Sequence, residues 1–193
     1  YLYHYLMSLI MRVMPFSAVT EYAVLRVIGA SLALATLTTT IATMKLLKIP
    51  RSFINTGLIL VIFSSEFILM SAAINNDNLV WLLTTIGLYL TVKMWQSPRF
   101  GLTNFLMLLN VIAYGSVVKK TFLPLALIFT VVLGYYLYTK KSEIIRALKK
   151  PSIVHVLLII SLIIGLGLAV ERIGQNVFQY GSIDVACDQI HSV

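Results

Sequence analysis

Six apolar runs joined by short polar connections leave this chain few ways to fold. They are Ala23–Met44, Phe53–Ile74, Leu79–Trp95, Leu102–Val118, Phe122–Tyr138 and Ile153–Val170. A helix needs roughly 17–25 mainly apolar residues to cross about 30 Å of hydrocarbon, and each run meets or approaches that length. Backbone N–H and C=O groups find no water there, so the runs must be helices. Of the 193 residues, 59% are hydrophobic and 11% charged, and the mean hydropathy is +0.92. A water-exposed surface would need more polar cover than that. The expected fold is all-α, a polytopic transmembrane helical bundle of about six spans. Short connections make sequential helices antiparallel neighbours.

Counting basic residues in alternate connections orients the bundle. One side carries Lys45, Lys48, Arg51, Lys93, Arg99, Lys140, Lys141, Arg146, Lys149 and Lys150; the other carries Arg12, Arg26, Lys119, Lys120 and Arg172. Ten against five places the first side in the cytoplasm. Glu21, Asp77, Glu171, Asp184 and Asp188 then fall on the outer side. The net charge of +8 is accounted for by basic loops and anionic lipid, so no nucleic-acid partner is expected.

Ahead of the first run, "YLYHYLMSLIMRVM" is too short and too polar to span. On a helix, Leu2, Leu6, Leu9, Ile10 and Val13 share one face, while His4, Ser8 and Arg12 line another. This pattern predicts an amphipathic helix in the interface, ended near Pro15, with the stub of a truncated span as the competing reading. Tyr1 opens the chain without an initiator methionine, and the last residues stop in a polar stretch. The chain is therefore read as an internal segment of a longer protein. Residues 1–170 form its membrane part, and residues 171–193 begin an outer segment. "KKSEIIRALKKP" fits an amphipathic connector on the basic side.

Few residues are candidates for chemistry. The lone cysteine, Cys187, permits no internal disulfide and no thiolate metal site, and His4, His155 and His191 lack ligand spacing. No metal site is expected. The stretch "SSEFILMSAAINNDNLVWLLTT" places Glu66 inside one apolar run and packs Asn75, Asn76, Asp77 and Asn78 ahead of the next. Asn and Asp favour turns and helix N-caps, so Asp77 or Asn76 is expected to cap the helix near Leu79. A functional reading places the same carboxylate beside a lipid-borne polar ligand. Glu66 is expected in the membrane, where a carboxylate needs a hydrogen-bonded partner or a cavity. Lys119 and Lys120 break two apolar runs on the side otherwise poor in positive charge. They read either as snorkelling anchors or as an anion site, which Arg172 and Arg26 would join. The small residues of "IGASLALAT" and "IIGLGLA" are packing signals.

"YLYHYLMSLIMRVM", "EYAVLRVIGASLALAT", "SAAINNDNLVWLLTTIGLYL" and "YGSVVKKTFLPLAL", taken in order, resemble the middle of a GT-C membrane glycosyltransferase. Within that superfamily they look like the phospholipid-carrier-dependent group, which includes protein O-mannosyltransferases and the lipid A aminoarabinose transferase. The resemblance covers most of residues 1–180 and rests on short motifs. It implies transfer of a sugar from a polyprenyl-phosphate carrier to a lipid, protein or glycan acceptor. The site would face outward from a bacterial cytoplasmic membrane. Asp77 would then be a supporting acid, with the main base upstream of this segment. Lys119 or Lys120, with Arg172, would meet the lipid phosphate; Glu66, Asn76, Arg26 and His4 complete the candidates. The resemblance specifies no cofactor and leaves a divalent cation open. It also implies that, if Cys187 pairs, its partner lies beyond Val193 in an oxidising compartment.

Two other classes compete. A transporter or flippase segment would use Glu66 and Asp77 along an ion or substrate path. A non-catalytic membrane scaffold would use every charge as an anchor.

Overall fold

The computed structural model describes residues 2–13, 18–98, 100–148 and 152–180, and every regular element among them is helical. Helices α1 (Leu2–Val13), α2 (Ala18–Leu46), α3 (Arg51–Ile62) and α4 (Ser65–Ala72) form the first half. They are followed by α5 (Asp77–Gln96), α6 (Leu102–Val118), a 3₁₀ turn (Lys120–Phe122), α7 (Leu123–Leu148) and α8 (Ile153–Tyr180). Residues 181–193, with Asp184, Cys187, Asp188 and His191, lie outside the described residues, as do Pro15, Arg99, Lys149 and Lys150.

Helix α6 is the axis of the bundle, flanked by α5, α7 and α8, while α2 packs on α5 and α4. Leu108, Val118, Phe122 and Phe129 form the most deeply buried part of the core, joined by Leu90, Met94 and Leu133. Two glycines admit the rings. A Cβ at Gly115 would lie 2.2 Å from the Phe122 ring, and one at Gly87 would lie 2.6 Å from Phe129. Only a missing side chain lets each phenyl group close on the neighbouring backbone.

The expected six spans are not supported. The stretches Tyr22–Leu46, Lys120–Lys141 and Ile153–Glu171 are long and apolar enough to cross a membrane; α3 and α4 together make a fourth if the bent pair counts as one span. Helix α6 has 17 residues, about 25 Å of rise at ~1.5 Å each, short of the ~30 Å core. In α5, Thr84, Thr85, Thr91 and Lys93 dilute the apolar run. The expected span Phe53–Ile74 is broken between Ile62 and Ser65, where α3 and α4 meet at 64°.

Each break has a local cause. The Ser64 hydroxyl accepts from the backbone N–H of Phe67 and so caps α4. Lys48 ends α2 in the left-handed region (φ 57), with Ile49 N–H returning to the Met44 carbonyl, and Pro50 follows. Helix α7 runs through the expected connector to Leu148, kinked at Lys140 (φ −114, ψ 18). Helix α8 passes the expected membrane exit at Val170 and ends at Tyr180. The sequence "LYHYLMSLIMRV" does form a separate amphipathic helix, α1, which touches α6.

Helix α8 is almost bare, with Ile153, Leu157, Ile163 and Val170 all exposed. It is held by a polar seam. The Asn110 amide donates to the Leu106 and Leu158 carbonyls at 2.8 and 3.0 Å, and Tyr114 donates to the Ser161 carbonyl at 2.9 Å. At the seam's end His155 Nε2 lies 3.0 Å from Thr103 Oγ1. The Ser152 N–H donates to His155 Nδ1 at 3.1 Å, which puts the neutral ring's proton on Nε2, facing Thr103. A Cβ at Gly165 would stand 3.3 Å from the Ala113 and Tyr114 side chains, so the glycine lets α8 pack closely on α6.

Candidate functional site

The α4–α5 turn and the end of α6 meet at one end of the bundle. Asp77 opens α5, and its carboxylate is held on both oxygens. The Asn75 amide donates to Oδ2 at 2.6 Å, and the Lys119 ammonium lies 2.5 Å from Oδ1. A carboxylate in the first turn also faces the positive end of the helix dipole. Lys119 is the C-cap of α6 in extended conformation (φ −156, ψ 139), a geometry that turns its side chain out of the helical path toward Asp77. Phe122, locked against Gly115, fixes the turn that carries Lys119, and the Phe122 N–H donates to the Lys119 carbonyl at 3.0 Å.

Asn78 is the residue that sequence reasoning passed over. It is fully buried, and its amide donates to the Met70 carbonyl at 3.0 Å and the Ala73 carbonyl at 3.4 Å. It thereby satisfies the carbonyls at the end of α4 and fixes the polar turn ahead of α5. Gly29 of α2 sits against the same turn, where a Cβ would come within 3.3 Å of the Asn78 amide and the Ser71 and Ala73 carbonyls. Phe67 of α4 stacks on Trp81 of α5, with centroids 6.0 Å apart and planes 7° from parallel. These contacts pack the turn that supports Asp77 against α2 and α4. The signal was available: four consecutive Asn and Asp residues exceed what one cap needs.

The other candidates are more dispersed. Asn76 occupies the N-cap position of α5 in helical conformation without a side-chain cap bond. The capping role expected of Asn76 or Asp77 falls to Asn75, whose Oδ1 accepts from the Asp77 N–H at 3.3 Å. Glu66 is exposed from the neighbouring helices, in the first turn of α4 just past the elbow. Arg26 donates to the Tyr22 hydroxyl at 2.7 Å and lies 4.5 Å over that ring, one helical turn away on its own helix. Lys120 is exposed on the 3₁₀ turn. His4 and Arg172 stand on α1 and α8, but their side chains lie outside the described residues.

The opposite end of the bundle gathers the basic residues. The Gln96 amide donates to the Leu46 carbonyl, and Glu143 accepts from the Phe100 N–H and from Lys140, which also donates to the Pro98 carbonyl. These bonds bring the ends of α2 and α5 and the last part of α7 together with the start of α6. Asp77 and Lys119 are therefore separated from Lys45, Lys93 and Lys140 by the length of the helices, as the counting of basic connections required.

Chemically, the Asp77–Lys119 pair is a supported ammonium. One N–H is directed at Asp77, and among the described residues no other acceptor engages the remaining two. The side chains are 32% and 19% exposed, so the pair is reachable. Among the described residues no three His, Cys, Asp or Glu side chains gather as a metal-binding group. No protein-family model, curated protein sequence or solved structure matches this chain.

Proposed function

We propose that this chain is the carrier-binding membrane part of a glycosyltransferase of the GT-C type, using a sugar linked to a polyprenyl phosphate at the outer face of a bacterial cytoplasmic membrane. The observation that carries the proposal is the Lys119 ammonium seated on Asp77 at a reachable end of an all-helical, strongly apolar bundle. The order of sequence motifs supports it. In this reading the acceptor oxygen bonds to the anomeric carbon as the bond from that carbon to the phosphate oxygen breaks. The lipid phosphate leaves with the electron pair, Lys119 stabilises its charge, and a carboxylate outside the pair takes the acceptor's proton. A single displacement inverts the anomeric centre. Asp77 acts as a positioning residue, because both its oxygens are already engaged in holding Asn75 and Lys119.

The test uses membranes containing the whole protein, a radiolabelled polyprenyl-phosphate sugar and quantification of transferred label. Lys119→Ala should lower turnover about 100-fold, the scale expected when one donor to a developing anion is lost. Asp77→Asn should weaken donor saturation more than maximal rate, and Lys119→Arg should recover part of the activity. Unchanged transfer in Lys119→Ala at equal protein level would overturn the assignment.

A transport reading has one observation of its own, the 64° elbow with Glu66 in the first turn beyond it. Discontinuous helices bearing an acid occur at ion paths. Loss of substrate movement in Glu66→Gln, with sugar transfer absent in the unaltered protein, would favour it.

A further inference from the structure

At the basic end of the bundle, α2, α5 and α6 enclose an open cavity of about 370 Å³. Its polar lining is of two kinds. Thr38 and Thr39 both donate their hydroxyl protons to the Ala35 carbonyl, at 2.9 and 2.8 Å, so their oxygens face a ligand as acceptors. Lys93 and Asn104 provide donors. The Lys93 ammonium lies 5.5 Å over the Tyr89 ring, and among the described residues no carboxylate lies in salt-bridge range of it. Asn104 lies beside Gly101, where a Cβ would stand 3.0 Å from its amide nitrogen, so the glycine gives that amide room. Apolar side chains, Met107 among them, complete the wall.

We infer that this cavity binds the headgroup of an anionic phospholipid whose phosphodiester carries a hydroxylated substituent, of the phosphatidylglycerol kind. Lys93 and Asn104 donate to the phosphate oxygens, Thr38 and Thr39 accept from the headgroup hydroxyls, and the apolar wall takes the start of an acyl chain. Charge complementarity commits the site to lipid. Lys45, Lys48, Arg51 and Lys141 stand at the same end, and the acid there, Glu143, is already engaged by Lys140 and the Phe100 N–H. Basic pockets between helices at a membrane boundary suit such headgroups. The site is far from the Asp77–Lys119 pair and is independent of the glycosyltransferase reading.

The experiment measures lipid retained by the purified full chain in detergent, by native mass spectrometry, after exchange against equal phosphatidylglycerol and phosphatidylcholine. The unaltered protein should retain phosphatidylglycerol about fivefold over phosphatidylcholine, the scale of one lysine's attraction to an anionic headgroup. Lys93→Gln and Asn104→Leu should each abolish that preference while keeping the melting temperature measured in phosphatidylcholine. Lys45→Gln, which removes the same charge outside the cavity, should leave the preference intact. Equal losses in Lys93→Gln and Lys45→Gln would reduce the effect to the general positive field and overturn the site. Saturable binding of free glycerol 3-phosphate without any lipid preference would overturn the lipid as occupant.

Discussion

Helices α6 and α8 lie side by side and divide the usual duties of a core helix between them. Helix α6 is short and buried on most faces, yet it carries Thr103, Asn110, Tyr114 and Ser116. Helix α8 carries the most apolar of the three candidate spans among the described residues, but only 6% of that stretch is buried. In a water-soluble protein the assignments would be reversed. Here the polar groups turn toward neighbouring helices and the most apolar surface turns outward, as expected where the solvent is hydrocarbon. What binds α8 to α6 is thus a line of hydrogen bonds and one glycine, since apolar burial between helices gains little when the alternative is lipid.

The sharpest way to break this contrast is to test a glycine on each helix. Gly115→Ala drives a methyl group into the Phe122 ring and should lower stability by about 3 kcal/mol, the upper range for overpacking, with loss of the Lys119 turn. Gly167→Ala on α8 meets nothing within 4 Å and should be neutral or slightly stabilising. Unfolding in mixed detergent micelles compares the two; equal effects would dissolve the distinction. A smaller effect is expected for Asn110→Leu, about 1 kcal/mol, because interhelical hydrogen bonds in membranes are modest. The same substitution should loosen α8 selectively, seen as faster proteolysis in its Ile153–Tyr180 segment. The smallest belongs to Ile163→Val, 63% exposed, which should stay within about 0.5 kcal/mol by the same measurement. A larger loss there would show that α8 is covered by protein.

Periodicity made α1 legible, because Leu6, Leu9 and Ile10 fall on one face, and run length made α2, α7 and α8 legible. The elbow also has a signal in the sequence. Ser64 followed by Glu66 is a helix start, with a capping hydroxyl and an acid in the first turn. The apolar residues on either side spelled a span of ordinary length, and length outweighed the cap. The Asp77–Lys119 association followed from orientation counting, which placed both on one side. Choosing Lys119 over Lys120 did not, since adjacent residues differ only through the extended backbone at Lys119. That geometry depends on Phe122 fitting Gly115, a contact between residues seven positions apart that no run of hydropathy records. Asn78 lost its individuality among four similar neighbours, because burial separates it from them and composition does not.

The elbow between α3 and α4 also bears on how such a chain is assembled. At 12 and 8 residues, neither half is long enough to partition into a bilayer alone. Their exposed Phe53, Leu60, Phe63 and Leu69 nevertheless need cover from the moment of synthesis. The two halves are therefore expected to enter as one bent unit, braced by α5 through Asn78, whereas α8 is long enough to enter by itself.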